Sequence, residues 1–161
     1  IPTEIGAINS EVNFVLSMPA RYLDGVEDFL RRKNLAFQRL DIRRGFHSRW
    51  LESAKTPFFD RFSTLRYEAA CLPLLCCSHD KVIGTLTAAD IWCAVRNPIL
   101  FCDAVLRLEF TGPWRYVDVG PSGTLATAVK YSLPSGSASV SVPVLTPFGN
   151  DVKNFCKLVA G

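Results

Sequence analysis

Two histidines and six cysteines are the residues of this chain whose types suit them to act as bases or metal ligands near neutral pH. His47 lies in the stretch Arg43-Arg44-Gly45-Phe46-His47-Ser48-Arg49. The run before it, residues 37–42, alternates apolar and polar positions as a half-buried strand does, and from Arg49 the pattern turns helical. An imidazole at a strand-to-helix junction, after a glycine that permits close backbone approach, stands at the mouth of an α/β core and can serve as a general base. The same placement suits a histidine that only hydrogen-bonds a nearby carbonyl, and partners brought in by the fold decide between the two. Cys71, Cys76, Cys77 and His79 are close enough in sequence to invite a zinc site. Residues 72–77, however, read as a core strand, whose successive side chains point to opposite faces and cannot all meet one ion. With Cys93, Cys102 and Cys156, these cysteines lie mostly in apolar runs and are expected as small buried hydrophobes, with neither a metal nor a disulfide framework.

The elements that must position His47 can be read in order. Residues 4–9 and 12–17 form two short strands around a turn, and Pro19 opens a helix whose apolar positions Tyr22, Val26, Phe29 and Leu30 recur at helical spacing to about Lys33. With the strand at 37–42, this predicts strand, strand, helix, strand over residues 1–46, most of a small α+β sandwich. In residues 47–161, an amphipathic segment over 49–62 carries Trp50, Leu51, Ala54, Phe58, Phe59 and Phe62 and is bent or divided at Pro57. A strand ending near Cys77 leads through His79, Asp80 and Lys81 to Gly84, and Thr87 is placed to cap a helix over 88–95. Pro98 then starts a helix to about Glu109. A strand over 114–119, a helix over 124–133, a strand over 140–145 and a helix over 150–159 complete the chain. Strands alternating with helices predict a mostly parallel sheet covered on both faces.

Composition narrows the function classes. Hydrophobic residues make up 48% of the 161 residues and charged ones 20%, the balance of a globular chain. No apolar run reaches the roughly 18 residues of a membrane span, and the first residues lack the basic-then-apolar pattern of a signal peptide, so a cytoplasmic protein without a membrane partner is expected. The net charge of +3, with clusters at Arg31-Arg32-Lys33 and Arg43-Arg44, is too small for a nucleic-acid footprint. These arginines read as a solvated face, or as partners for an anionic substrate.

Several motifs in order carry a family resemblance. Ile8-Asn9-Ser10, an apolar strand ending in Ser17, a helix, and then Gly45-Phe46-His47-Ser48 resemble the second half of the malonyl-CoA:acyl-carrier-protein transacylases, the acyltransferase domains of fatty-acid and polyketide synthases. Ile91-Trp92 ahead of Arg96-Asn97-Pro98-Ile99-Leu100-Phe101 resembles the family's tryptophan and asparagine-proline pattern. Tyr116-Val117-Asp118-Val119-Gly120-Pro121, followed by Leu125, resembles its valine-glutamate-valine-glycine-proline element. The resemblance implies an α/β fold in which a partial ferredoxin-like small lobe is joined to the C-terminal part of an α/β-hydrolase-like parallel sheet. It also implies ping-pong acyl transfer through a serine, with acyl-CoA as donor, the phosphopantetheine of an acyl carrier protein as acceptor and no bound cofactor. His47 would then be the base, backbone groups of Cys76, Cys77 and Ser78 would orient its other nitrogen, Asn9 and Ser10 would lie beside the acyl pocket, and Phe46 would match a position associated with malonyl selection.

The chain also departs from the family. It has no glycine-histidine-serine-x-glycine elbow, and Gly120-Pro121-Ser122-Gly123 does not replace it because its serine follows a proline at a turn. Glu11 stands where the family prefers proline, Met18 where it prefers glycine, and Arg44 and Gly45 fall within its substrate-sorting tetrad. An N-terminal acyltransferase segment carrying the serine is therefore expected as a partner, this chain being one piece of a cleaved or split protein. An acyl hydrolase of the same fold and a non-catalytic docking module are the alternatives.

Overall fold

The computed structural model describes residues 1–78 and 82–160. The chain divides into two compact units, one formed by Ile1–Ala7 and Phe14–Ile99, the other by Ile8–Asn13 and Leu100–Gly161. The boundary expected after residue 46 is thereby corrected. His47 belongs with the first strands, and the tip of the first hairpin belongs with the C-terminal half.

In the first unit, strand β1 (Glu4–Ser10) neighbours β2 (Asn13–Ser17), and a single 3-10 turn after Pro19 leads into helix α1 (Leu23–Arg32). Acidic Asp24 in the first turn of α1 and basic Arg31 and Arg32 in its last turn complement the helix dipole. The strand expected at 37–42 does not form, which leaves the small lobe as strand, strand, helix. Residues 35–44 are exposed and make no ladder, although the alternation is there. A strand exists only against a neighbour that takes up its amides and carbonyls, and the described residues supply none. The segment is held by side chains instead: Arg39 reaches Asp24 at 2.7 Å and also Glu27, and Arg31 lies over the ring of Phe37 at 5.4 Å.

After His47 a 3-10 segment, Arg49–Ala54, passes into helix α2 (Lys55–Phe62). Pro57 falls in the first turn of α2, where a missing amide costs nothing, so the expected division of the amphipathic segment is observed. Strand β3 (Ala69–Leu75) pairs antiparallel with β4 (Val82–Thr85), with an irregular register between Ala69 and Leu74. Pro73, which has no amide to give to a ladder, sits within that irregularity. The reading of β3 as a core strand is corrected, since Leu72 and Leu74 are 75% and 41% exposed. The loop residues His79, Asp80 and Lys81 lie outside the described residues. Helix α3 (Ala88–Arg96) opens on a capping box, with Asp90 N donating to Thr87 Oγ1 at 3.2 Å and Thr87 N to Asp90 Oδ2 at 3.0 Å. Buried Trp92 of α3 packs on Phe58 and Phe59 of α2 at ring separations of 5.3 and 6.2 Å.

A two-residue strand, β5 (Ile99–Leu100), takes the place expected for the start of a helix at Pro98, and helix α4 (Phe101–Glu109) begins after it. In the second unit β6 (Arg115–Asp118), α5 (Thr124–Ser132) and β7 (Val140–Pro143) form a β-α-β crossover, its strands parallel and in register from Arg115↔Val140 to Asp118↔Pro143. Helix α6 (Asp151–Ala160) follows. Cys102 and Val105 of α4 and Ala126 and Val129 of α5 make the core. Of the cysteines expected to be buried, only Cys102 is; Cys71 and Cys156 are exposed, and Cys76, Cys77 and Cys93 are half-buried. Among the described residues no helix is long and apolar enough to cross a membrane.

Candidate active site

Among the described residues, His47 is the only one with a titratable side chain held in a left-handed backbone conformation, with φ 58°. A non-glycine residue there is unfavourable unless its surroundings hold it, and such residues gather at functional turns. Three tethers do the holding. The amide of His47 donates to Val95 O at 2.9 Å, Ser17 Oγ at the end of β2 donates to Phe46 O at 3.0 Å, and Ser48 Oγ donates to Gly45 O at 2.6 Å. Ser48 is fully buried. The next turn is fixed from both sides, by Arg49 N donating to Glu4 Oε2 at 2.8 Å and by Arg96 Nε donating to Glu52 Oε2 at 2.7 Å, the latter bond holding the Glu52 carboxyl below its ordinary range. Two glycines make room. A Cβ on Gly6 of β1 would stand 3.0 Å from Ser17 Oγ and 3.7 Å from the Cβ of His47, and one on Gly45 would stand 3.0 Å from Ser48 Oγ.

The ring of His47 has one fixed partner: Nδ1 lies 3.0 Å from the carbonyl oxygen of Asn97. A carbonyl only accepts, so this contact assigns the proton to Nδ1 and leaves the lone pair of the neutral ring on Nε2. The orienting carbonyl is thus that of Asn97, and the expectation that Cys76, Cys77 and Ser78 would supply it is corrected; Cys76 Sγ instead lies 3.7 Å from Ser78 Oγ, and burial raises the pKa of the Cys77 thiol. The sequence itself carries a signal for this carbonyl. A residue before proline is pushed out of the helical region, and Asn97, at φ −83° and ψ 157°, ends α3 because Pro98 follows. Its carbonyl is therefore released from the helix and can turn to the imidazole.

Phe46 is 43% exposed, its ring centroid 6.4 Å from that of His47. Asn9 and Ser10 belong to the other unit and are occupied within the hairpin. Asn9 Nδ2 donates to Asn13 Oδ1 at 2.8 Å, and Ser10, 2% exposed, accepts from Val12 N at 3.4 Å. An apolar groove of about 430 Å³ in the second unit, lined by Tyr116, Val119, Leu125 and Val129 among others, contains none of the expected site residues. The polar side chains of this groove, those of Tyr116, Asp118 and Ser141, are engaged in hydrogen bonds within the unit. The Asp118 carboxylate, 7% exposed, accepts from Gly120 N at 2.8 Å and Ala126 N at 2.9 Å and closes the turn into α5. No cluster of metal-ligating side chains occurs among the described residues.

No family model matches the chain. The chain is similar to the polyketide biosynthesis acyltransferase homolog PksD of Bacillus subtilis, 28% identical over 152 residues that cover 94% of this chain and 47% of the relative. It is similar also to BaeD of Bacillus velezensis, 30% identical over 146 residues, covering 91% of this chain and 45% of that protein. The chain is a relative of the polyketide acyltransferases. It spans about half the length of these relatives. Among solved structures, the acyltransferase domain from the second module of the salinomycin polyketide synthase superposes with a TM-score of 0.83 at 23% identity over 98% of this chain and 37% of that one. The malonyl-CoA:acyl carrier protein transacylase of Xanthomonas oryzae superposes with a TM-score of 0.79 at 16% identity over 98% of this chain and 49% of that one. The α/β fold is that of acyltransferase domains, matched over part of their length.

Proposed function

We propose that this chain is the histidine-bearing part of an acyltransferase that moves a malonyl-type acyl group from coenzyme A to the phosphopantetheine thiol of an acyl carrier protein. The observation that carries the reading is the Nδ1 contact of His47 with Asn97 O, which leaves Nε2 basic and directed by a fixed ring. In the first half-reaction Nε2 takes the proton of a serine hydroxyl as that oxygen attacks the thioester carbonyl; the coenzyme A sulfur leaves and takes the proton. In the second, Nε2 takes the proton of the carrier thiol as its sulfur attacks the acyl-serine ester, and the serine oxygen recovers the proton. The serine comes from outside this chain. Ser17 and Ser48, the serines placed beside His47, both donate their hydroxyls to backbone carbonyls and cannot give a proton to the ring in that arrangement. Exposed Phe46 next to the base supports a role in bounding the acyl group.

Intact-mass measurement of the complete protein tests this. With malonyl-CoA it should gain one malonyl group on a serine, and addition of a carrier protein should return that mass to the carrier. An adduct that water clears before any carrier is added would mean an acyl hydrolase, and the absence of an adduct would end the reading.

A further inference from the structure

Seven of the chain's 18 lysines and arginines, but only one of its 15 aspartates and glutamates, fall within residues 31–49, the segment that ends on His47 and the turn after it. Several of these cations are neutralised on the spot: Arg31 by Glu27 and Asp28, Arg39 by Asp24 and Glu27, and Arg49 by Glu4. Arg32 and Lys33, at the end of α1, have no ion pair among the described residues, and the same holds for Arg43 and Arg44, the pair nearest His47 in the chain. Arg43 and Arg44 are both exposed, and Asp41 of the same loop pairs with neither. The loop is nevertheless pinned where they stand, because Phe46 N donates to Arg44 O at 2.9 Å while Phe46 O and the amide of His47 are tied to Ser17 and Val95. Two exposed arginines thus stand three and four residues before His47 on a backbone tied at Arg44 O, without a carboxylate to satisfy them among the described residues. Planar, permanently charged forks in this arrangement suit the geometry of phosphate oxygens.

We propose that Arg43 and Arg44 bind the phosphate groups attached to the pantetheine arm of the acyl carrier. The proposal rests on the reading of His47 as the acyl-transfer base, since both substrates of that reaction carry such phosphate. Coenzyme A bears more of it than a carrier protein's phosphodiester, so the larger effect is expected on the donor.

The test uses the complete protein and its Arg43→Gln/Arg44→Gln double variant. Coenzyme A binding is measured by calorimetry at low and high salt, and the KM values of the acylation and transfer half-reactions are measured separately. The variant should weaken coenzyme A binding roughly tenfold to a hundredfold at low salt and flatten its salt dependence, with KM in the acylation half-reaction rising more than kcat falls. Arg43→Lys/Arg44→Lys should recover part of the loss, and Arg66→Gln, an exposed arginine held by Glu68, should change nothing. A rise confined to the carrier protein's KM would assign the phosphate to the acceptor. Unchanged coenzyme A affinity together with an unchanged carrier KM overturns the proposal, as does a parent protein that binds neither. Coenzyme A that binds tightly through the arginines without forming an acyl-enzyme would instead leave this site standing and remove the role assigned to His47.

Discussion

His47 and Asp118 occupy comparable places, each a polar residue with a helical segment a few residues on, yet the fold treats them in opposite ways. Asp118 is buried and both its oxygens are consumed by backbone amides, those of Gly120 and Ala126. His47 is half-buried, is held through its backbone by Val95, and has one ring nitrogen taken by Asn97 and the other left over. A group whose every hydrogen bond is internal stabilises a turn. A group with one bond withheld can act on something else.

The sharpest break of this contrast is His47→Ala in the complete protein. Acyl transfer should fall by about two to four orders of magnitude while the unfolding midpoint stays within a degree or two, because loss of a base removes proton transfer and not packing. Turnover within about tenfold of the parent would leave His47 no more catalytic than Asp118. The converse change, Asp118→Ala, should destabilise the fold by about 3 kcal/mol in denaturant titrations, since two buried amides lose a charged acceptor. A stable variant with lost activity would reverse the two roles. Next in size is Pro98→Ala, which lets α3 continue through Asn97 and withdraws its carbonyl from the ring. It should lower kcat/KM about tenfold to a hundredfold with little change in stability, and an unaltered pH–rate profile would show that the imidazole does not depend on that carbonyl.

Smaller effects separate support from chemistry. Thr87→Ala removes half of the capping box of α3 and should cost about 1 kcal/mol of stability without touching the pH profile. In the second unit, hydroxyls of Ser137, Ser139 and Tyr116 all donate to the Glu109 carboxylate and hold its pKa below the ordinary value, while burial, with the Glu109 contact, raises the pKa of Tyr116. A carboxyl whose pKa is lowered on folding contributes stability that is complete above its unfolded value. That contribution declines as the pH drops below the ordinary glutamate range and is gone once the folded-state value is passed. Glu109→Gln should therefore flatten the acid limb of the stability profile, and an unchanged limb would show that the cluster is not a determinant of acid stability.

Local pattern alone determined most of the elements. Thr87 followed by Asp90, Pro57 in a first turn, and the alternation of strand and helix after residue 114 each carry their physics within a few residues, so those elements stand close to where they were expected. The motif around His47 was legible for the same reason, because Gly45 and the change from extended to helical pattern adjoin it. Tertiary structure decided the rest, wherever a group needs a partner distant in sequence. Residues 37–42 have the alternation of a strand, but ladder bonds belong to pairs of strands and the described residues offer no second one. Leu72, Leu74 and Cys71 have the composition of a core, but burial is a property of what packs over a residue, and here they are exposed. The carbonyl that orients His47 comes from a residue 50 positions away, on the far side of α2, β3, β4 and α3. No spacing rule reaches that far, so the sequence could single out His47 while only the folded chain could supply the contact that leaves the lone pair on Nε2.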